Sequence, residues 1–514
     1  MVGFVLRRIA VSILVLLAAS FLMYVLAANS GNPLQDLEGS NAPNRDQLIA
    51  ARINALDLDV PPVLRYFLWL GGAAQCLVPF VGTCDLGLTI SNAAVTDILP
   101  PAMASTLQLV TAAFLIAIVL GVAVGIVTAL RQYSGFDFSV TLLSFFLYSL
   151  PSFLIAVLLK EFLAIGFNDF LQSATTIPAW VIALVAVVSA IVWQAMIGGP
   201  VRRRLVVAVA SGGVTAALLI YFDIVDWFRQ PGLGPVGLFL LIGGTVVLTT
   251  ALLAGLENRR ALMIAALNGA IAYVCYFALQ GLFNVSTLGT LIILGLVAIA
   301  VGIGSGLLLG GPDRGMAARI GGIVAFVSSG FVVLDRYMQS WPEYMANPRI
   351  NNRPIATVGA STPGFNGDVW LTGIDSFTHL LLPTVALLLI SFAGYTRYAR
   401  AGLLEVMNQD YIRTARAKGL PERTVVMRHA LRNMLIPIVT LIATDVGALL
   451  GGAVITERVF AISGMGSLFV LGITRVDVNP VMGYFLVIAI TAIVFNFLAD
   501  LAYAALDPRV RVAA

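Results

Sequence analysis

Charge is what this sequence has least of. Only 11% of its 514 residues are Asp, Glu, Lys or Arg, against about 25% in soluble domains. With 59% hydrophobic residues and a mean hydropathy of +0.96, that deficit excludes a soluble enzyme, a nucleic-acid-binding module and a disordered scaffold. Lysine is nearly missing: Lys160 and Lys418 are the only two, and neither follows a glycine. A phosphate-binding G-x-x-x-x-G-K-[ST] loop is therefore excluded, and the chain does not bind ATP in that way. Histidine is confined to His379 and His429, and cysteine to Cys76, Cys84 and Cys275, with no C-x-x-C spacing. These counts leave no basis for a His/Cys metal site.

What the chain does have is long apolar runs. A span needs about 20 apolar residues to cross about 30 Å of hydrocarbon. Twelve stretches qualify: 4–28, 102–130, 138–166, 177–199, 205–228, 236–256, 261–283, 288–310, 317–338, 377–402, 435–456 and 480–505. The first follows Arg7 and Arg8 but is longer than a signal-peptide core, and Leu26-Ala27-Ala28 is a poor cleavage site, so it is expected to be retained. Arginines alternate with the gaps. Arg131, Arg202 to Arg204, Arg259, Arg260, Arg314 and the stretch from Arg397 to Arg432 fall in every second gap, with Arg509 and Arg511 in the tail. The short gaps between them, 167–176, 229–235 and 284–287, hold only Arg229. The positive-inside rule then puts both termini in the cytoplasm.

Two outer loops are long, about 29–101 and 339–376. Tyr66-Phe67-Leu68-Trp69 in the first reads as an interfacial or packed helix. Cys76 and Cys84 share that loop, where an oxidising face permits a disulfide, two free thiols being the alternative. Ionisable groups inside spans are functional candidates by default. Asp445 is a candidate for the translocation path or for a contact with another subunit. It is equally readable as an Asp satisfied by a neighbouring helix. Glu457 and Arg458, at the outer end of the same span, are candidates for an outer gate or a docking point. Lys160 and Glu161 are expected to pair or to snorkel outward.

The segment from about 403 to 434 is the longest expected cytoplasmic loop. Asn408 reads as an N-cap, 409–418 as helix, Gly419 as the left-handed residue that ends it, and Pro421 as the start of a second helix. The expectation is two short helices at an angle, with Tyr411, Ala415 and Lys418 on one face and small Ala415 and Ala417 allowing close approach by another protein. A merely solvated basic loop accounts for the arginines but not for an ordered helix–Gly–helix unit. His429 reads as a surface or packing residue, since no acid lies at hydrolase spacing.

Tyr411 to Pro437 resembles the "EAA" coupling loop of ABC-importer permeases, in the form used by dipeptide and oligopeptide permeases. Arg413-Thr414-Ala415 occupies the E-A-A position, and nine residues separate Gly419 from His429. Similar to the B-type permease of that family are also Arg7-Arg8, Leu130-Arg131, Leu150-Pro151-Ser152-Phe153, Leu449 to Val454, Glu457, Val459-Phe460, Gly464-Met465-Gly466 and Leu506-Asp507-Pro508-Arg509. The likeness covers about 1–170 and 340–514.

The resemblance implies an all-α polytopic bundle of about 12 spans with a type I importer (MetI-like) core. The halves would be 1–170 and 340–514, with a six-span accessory insertion at 171–339. It implies a bacterial inner-membrane permease subunit for peptides that is not itself an enzyme. Its partners would be a second related permease, two ABC ATPase subunits holding ATP and Mg, an external peptide-binding protein and the lipid bilayer, with no nucleic acid and no cofactor in this chain. Tyr411, Arg413, Thr414, Ala415, Arg416, Ala417, Lys418, Gly419, Leu420, His429, Arg432 and Asn433 would form the ATPase contact, with Ala415, Lys418 and Gly419 at its core. Within the insertion, Gly302-x-Gly304-x-Gly306 and Gly321-Gly322 allow close helix packing. The competing classes are a twelve-span secondary transporter of the major facilitator type, which calls for two similar halves, and an intramembrane transferase, which calls for a cluster of acids or histidines.

Overall fold

The computed structural model describes residues 2–77, 83–173 and 176–506. The closing Asp507-Pro508-Arg509 and Arg511 lie outside the described residues. Helix dominates what is described, and one isolated bridge joins Leu88 to Ala94. Among the described residues eleven helices are long and apolar enough to span a bilayer by length and composition.

The remaining expected span, 138–166, is broken. Helices Gly135–Ser149 and Ser152–Ser173 meet at 102°. Leu150 and Pro151 supply the cause: both are extended (ψ 135° and 138°). A proline has no N–H to continue the ladder, and it disfavours helical geometry in the residue before it.

Two helices form the spine of the core, Val95–Leu130 and Val369–Met407. A Cβ added at Gly121 would lie 2.7 Å from Tyr395 Cβ, and one at Gly125 would lie 2.6 Å from Ala399 Cβ. Glycine is therefore what lets these backbones touch. The cluster around them draws Leu109, Val110 and Ala113 from one helix, Leu382 and Ala386 from the other, and Ile155, Ala156 and Phe460 from shorter segments. Each buried aliphatic side chain contributes on the order of 1.5–3 kcal/mol against water. In a bilayer that driving force is absent, and close packing carries the association.

The two segments expected as outer loops are more ordered than expected. Segment 29–101 contains helices Arg45–Ala55 and Pro62–Leu77 and the start of Val95–Leu130. Tyr66 and Trp69 are buried and packed on Tyr24, with ring centroids 5.7 and 6.3 Å away. Cys76 and Cys84 are joined in a disulfide. The expected loop 339–376 shrinks to 347–368, because helix Arg314–Ala346 runs past 339 and Val369–Met407 starts before 377. Asp368 accounts for the early start: its side chain accepts the Leu371 N–H at 2.8 Å, a helix N-cap inside the polar stretch. An accessory boundary at 339 consequently falls inside a helix.

Segment 171–339 holds six long helices: Ala179–Ile197, Val201–Ile224, Gly234–Leu253, Arg259–Ala278, Leu288–Leu309 and Arg314–Ala346. The first two pair with each other and bury no residue fully. The other four pack together, and Gly302, Gly306 and Gly321 make the close contacts expected of them, whereas a Cβ at Gly304 would meet nothing within 4 Å. A Cβ at Gly302 would meet Gly321 O at 2.4 Å, and one at Gly306 would meet Ala318 Cα at 2.3 Å. Trp370 ties this bundle to the core: it is fully buried against Phe283 and Tyr337 and donates its Nε1–H to Phe283 O at 2.8 Å.

Candidate functional site

The segment after helix Val369–Met407 turns back on itself twice. Asn408 is not an N-cap. It closes the preceding helix, its backbone N–H donating to Glu405 O and its Nδ2 to Leu404 O at 3.0 Å. Gln409, with extended backbone, precedes helix Asp410–Ala417. Asp410 in the first turn and Arg416 in the last complement the helix dipole.

Gly419 then ends the helix as expected. Its φ is +75°, and an added Cβ would meet no atom within 4 Å, so the requirement is conformational rather than spatial. Its N–H donates to Arg416 O at 2.9 Å, and Leu420 N–H donates to Ala415 O at 3.4 Å. Arg416 closes the turn from outside, giving Nε to Glu422 Oε2 at 3.2 Å and Nη2 to Oε1 at 2.7 Å. Through that contact Arg416 holds the Glu422 carboxyl below the usual carboxylate range.

Beyond Pro421 the chain does not form a second short helix. Helix Glu422–Thr424 passes through a wider π-turn, Val425–Ala430, into Leu431–Gly452 without a break. The elbow is thus one short helix set against the root of a long one.

The face expected to be presented outward is corrected by burial. Ile412 is 0% and Ala415 5% exposed, and both pack inward on Ala129, Ala399, Leu403, Val425, Ala430, Met434 and Ile438. Ala415 is small because helix 410–417 lies close on the root of its own bundle, so it does not sit at the core of an outer contact. Tyr411 is 41% exposed, and its hydroxyl accepts from Asn433 Nδ2 at 2.7 Å, bridging the two limbs. What does face outward is Arg413, Thr414, Arg416, Ala417, Lys418, Gly419, Leu420, Arg432 and Asn433, with Met427 60% exposed beside them. His429 is half-buried on the π-turn.

An anchor that sequence reasoning missed holds the root. Asp137, buried on helix Gly135–Ser149, accepts from Arg400 Nε at 2.7 Å and Nη2 at 3.0 Å, and from Tyr133 N–H at 3.0 Å. Arg400 lies on the last turns of Val369–Met407, just before the elbow. Neither residue stands out in the sequence: Asp137 sits just before the expected span 138–166, and Arg400 shares the end of 377–402 with Arg397. Nothing in a single sequence pairs them across 263 positions.

The remaining candidates are scattered. Asp445, half-buried, accepts from the Tyr395 hydroxyl at 2.7 Å. Glu457 is not at the end of the same helix but on a separate short one, Val454–Val459, and it is fully buried. It accepts from Thr106 Oγ1 at 2.7 Å and from Ser467 N–H at 2.9 Å. Gly464 leaves the space for its carboxyl: a Cβ there would lie 2.5 Å from Glu457 Cδ. Burial removes Glu457 from any docking surface and makes it an internal strut. Arg458 is exposed. Lys160 does not pair with Glu161; half-buried, its Nζ donates to Val459 O at 3.0 Å, in the same junction. Among the described residues no three His, Cys, Asp or Glu side chains converge as a metal site would need.

Comparison with known proteins bears on the elbow and the spine together. A family model described as "Binding-protein-dependent transport system inner membrane component" matches residues 121–512. An oligopeptide transport system permease protein, OppB, of Mycobacterium tuberculosis is 45% identical over 154 residues, 30% of this chain and 47% of that one. A dipeptide transport system permease protein, DppB, of Bacillus subtilis is 36% identical over 219 residues, 43% and 67% of the two chains. DppB of Escherichia coli is 44% identical over 138 residues, 27% and 41%. The chain thus spans about half the length of most of these relatives.

Proposed function

The chain belongs to the family of binding-protein-dependent transport system inner membrane components, and from that premise we propose that it is one permease subunit of an ATP-driven importer of peptides. The observation that carries the reading is the exposed elbow 410–421, seated on the roots of helices Val369–Met407 and Leu431–Gly452. The names of the relatives, oligopeptide and dipeptide permeases, support the cargo class.

In this reading a second related permease completes the pore, two ATPase subunits bind and hydrolyse ATP with Mg, and an external binding protein delivers peptide. Both termini lie in the cytoplasm. The nucleotide never touches this chain; its work arrives as force on the elbow. The contact surface is Arg413, Thr414, Arg416, Ala417, Lys418, Leu420, Arg432 and Asn433, with Gly419 setting its shape. Ile412 and Ala415 transmit the push, because an apolar, close-packed seam moves as a unit. The Asp137–Arg400 pair fixes the broken helix Gly135–Ser149 to the same lever. Rocking of helices about such a lever is a rigid-body transition of known kind. Asp445 and Arg458 remain candidates for the path or gate. Glu457, being buried, stays a candidate for the gate but not for docking.

A major-facilitator-like transporter is not favoured, since that class has neither a coupling elbow nor this family's pattern. Cysteine cross-linking tests the reading directly. With Lys418→Cys in the assembled complex, a cross-link to an ATPase subunit that changes yield with nucleotide is expected. Uptake of peptide by the purified chain alone, driven by an ion gradient without nucleotide, overturns it.

A further inference from the structure

A groove of about 520 Å³ lies between helices Arg259–Ala278, Leu288–Leu309 and Arg314–Ala346 of the accessory bundle. Its walls are apolar, among them Ile271, Leu279, Phe283, Val297 and Phe326. Asn268, 2% exposed, closes one end, with its Nδ2 donating to Ile264 O and Ser305 Oγ. Glycine plays opposite parts along these helices. Gly302 and Gly321 bring backbones into contact, whereas Gly295 and Gly330 line the groove, and a Cβ at either would meet nothing within 4 Å. The groove is open because two positions that face it have no side chain.

Such a space does not hold water, which needs two to four polar partners, and an apolar cavity of about 150 Å³ already takes up benzene. In a chain that spans a bilayer the available occupant is hydrocarbon. The mouth specifies which hydrocarbon. Val332 and Val333 line the groove, and Arg336 follows one turn later, about 5 Å along the axis. Arg336 Nη2 donates to Asn284 Oδ1 at 2.8 Å and Nη1 to Gln339 Oε1 at 3.3 Å, while its guanidinium lies 5.8 Å from the Trp370 ring centroid. Its Nε is buried without an acceptor. Asp335 offers no compensation: its oxygens are taken by Leu233 N–H, Gly234 N–H and Gln339 Nε2. Among the described residues no carboxylate forms an ion pair with Arg336.

We propose that the groove holds an acyl chain of one anionic phospholipid, with Arg336 at the mouth binding its phosphate. The accessory bundle is then a built lipid site, independent of the cargo and of the ATPase contact. An uncompensated cation one turn above an apolar slot matches the two halves of that ligand, charge and chain, in the order a bilayer presents them.

The test is native mass spectrometry of the full chain or assembled complex, released from detergent after titration with phosphatidylglycerol or with phosphatidylcholine of the same acyl chains. Wild type should retain one phosphatidylglycerol in preference to phosphatidylcholine. Arg336→Gln should lower phosphatidylglycerol retention about fivefold, the effect of one basic residue at an anionic surface, while Arg336→Lys keeps the preference. Gly295→Leu and Gly330→Leu should lower retention of both lipids. Equal retention of the two lipids by wild type, an undiminished preference in Arg336→Gln, or unchanged binding in both leucine variants overturns the proposal. So does a photo-reactive residue at 295 that labels another subunit instead of lipid.

Discussion

Replacing Gly419 tests the elbow with little collateral change. Its backbone sits at φ +75° and a new Cβ meets nothing within 4 Å, so a substitution causes no clash and its whole cost is conformational. For an ordinary L-residue that cost is about 1–2 kcal/mol, a factor of roughly 5–30 in the population of the native turn. Asn tolerates left-handed geometry far better than a β-branched residue does. The expected order of damage is therefore Gly419→Asn least, Gly419→Ala intermediate and Gly419→Val greatest.

The bidentate Arg416–Glu422 contact opposes the loss, but it is exposed and contributes no more than about 1 kcal/mol. The spans are untouched, so melting of the purified chain should not change. The assay is the ratio of peptide taken up to ATP hydrolysed in proteoliposomes containing the assembled complex. Val should lower that ratio severalfold, and Asn should nearly restore it. A Val variant with the wild-type ratio, or an Asn variant as poor as Val, refutes the claim that a left-handed residue at 419 shapes the coupling surface.

Four further outcomes are expected. Ala415→Leu overpacks the seam at a cost of about 1–3 kcal/mol and should lower both melting temperature and coupling, whereas a Leu at the exposed Ala417 should leave melting unchanged in the same thermal scan. Asp137→Ala strands Arg400 and should destabilise the chain by about 3 kcal/mol, while Asp137→Ala with Arg400→Leu recovers much of that by denaturant titration. Asp477, in the turn before helix Val478–Leu506, is pushed up to about 6 by burial, its Oδ2 accepting from Ile90 N–H. The folded state thus holds the proton more tightly than the unfolded one. Stability should be greatest below about pH 4, fall by on the order of 2–3 kcal/mol between about pH 4 and 6, and level off above; Asp477→Asn should remove that slope in melting curves taken across the range. Reducing the Cys76–Cys84 disulfide reopens a short loop, sequence separation 8, and should cost the outer segment about 2–3 kcal/mol, read as faster proteolysis around residues 62–77.

Much of this architecture is legible in one sequence because a bilayer demands so much of it. Every span must satisfy its own backbone and present some 20 apolar residues, so hydropathy locates each long helix, although polar turns carry Val369–Met407 and Arg314–Ala346 beyond the apolar stretch. Gly419 was equally legible, since few residues other than glycine accept its backbone angle. What failed depended on partners far along the chain. Asn408 has the composition of an N-cap, but whether it opens a helix or closes one depends on where the previous helix stops, and Val369–Met407 runs on until Met407. Asp368 has the same capping chemistry, but the polar stretch around it reads as loop, so the sequence alone does not mark it as a cap. Ala415 is small for the reason supposed, close approach, yet the approaching surface is the chain's own Leu403, Val425 and Met434. Glu457 reads from sequence as an outer gate or docking point, and only Thr106, 351 positions away, shows that it is held inside. Periodicity and caps are local and can be read; the ion pair Asp137–Arg400 and the strut at Glu457 are products of the fold, and only the three-dimensional arrangement says which charges are free to meet another protein.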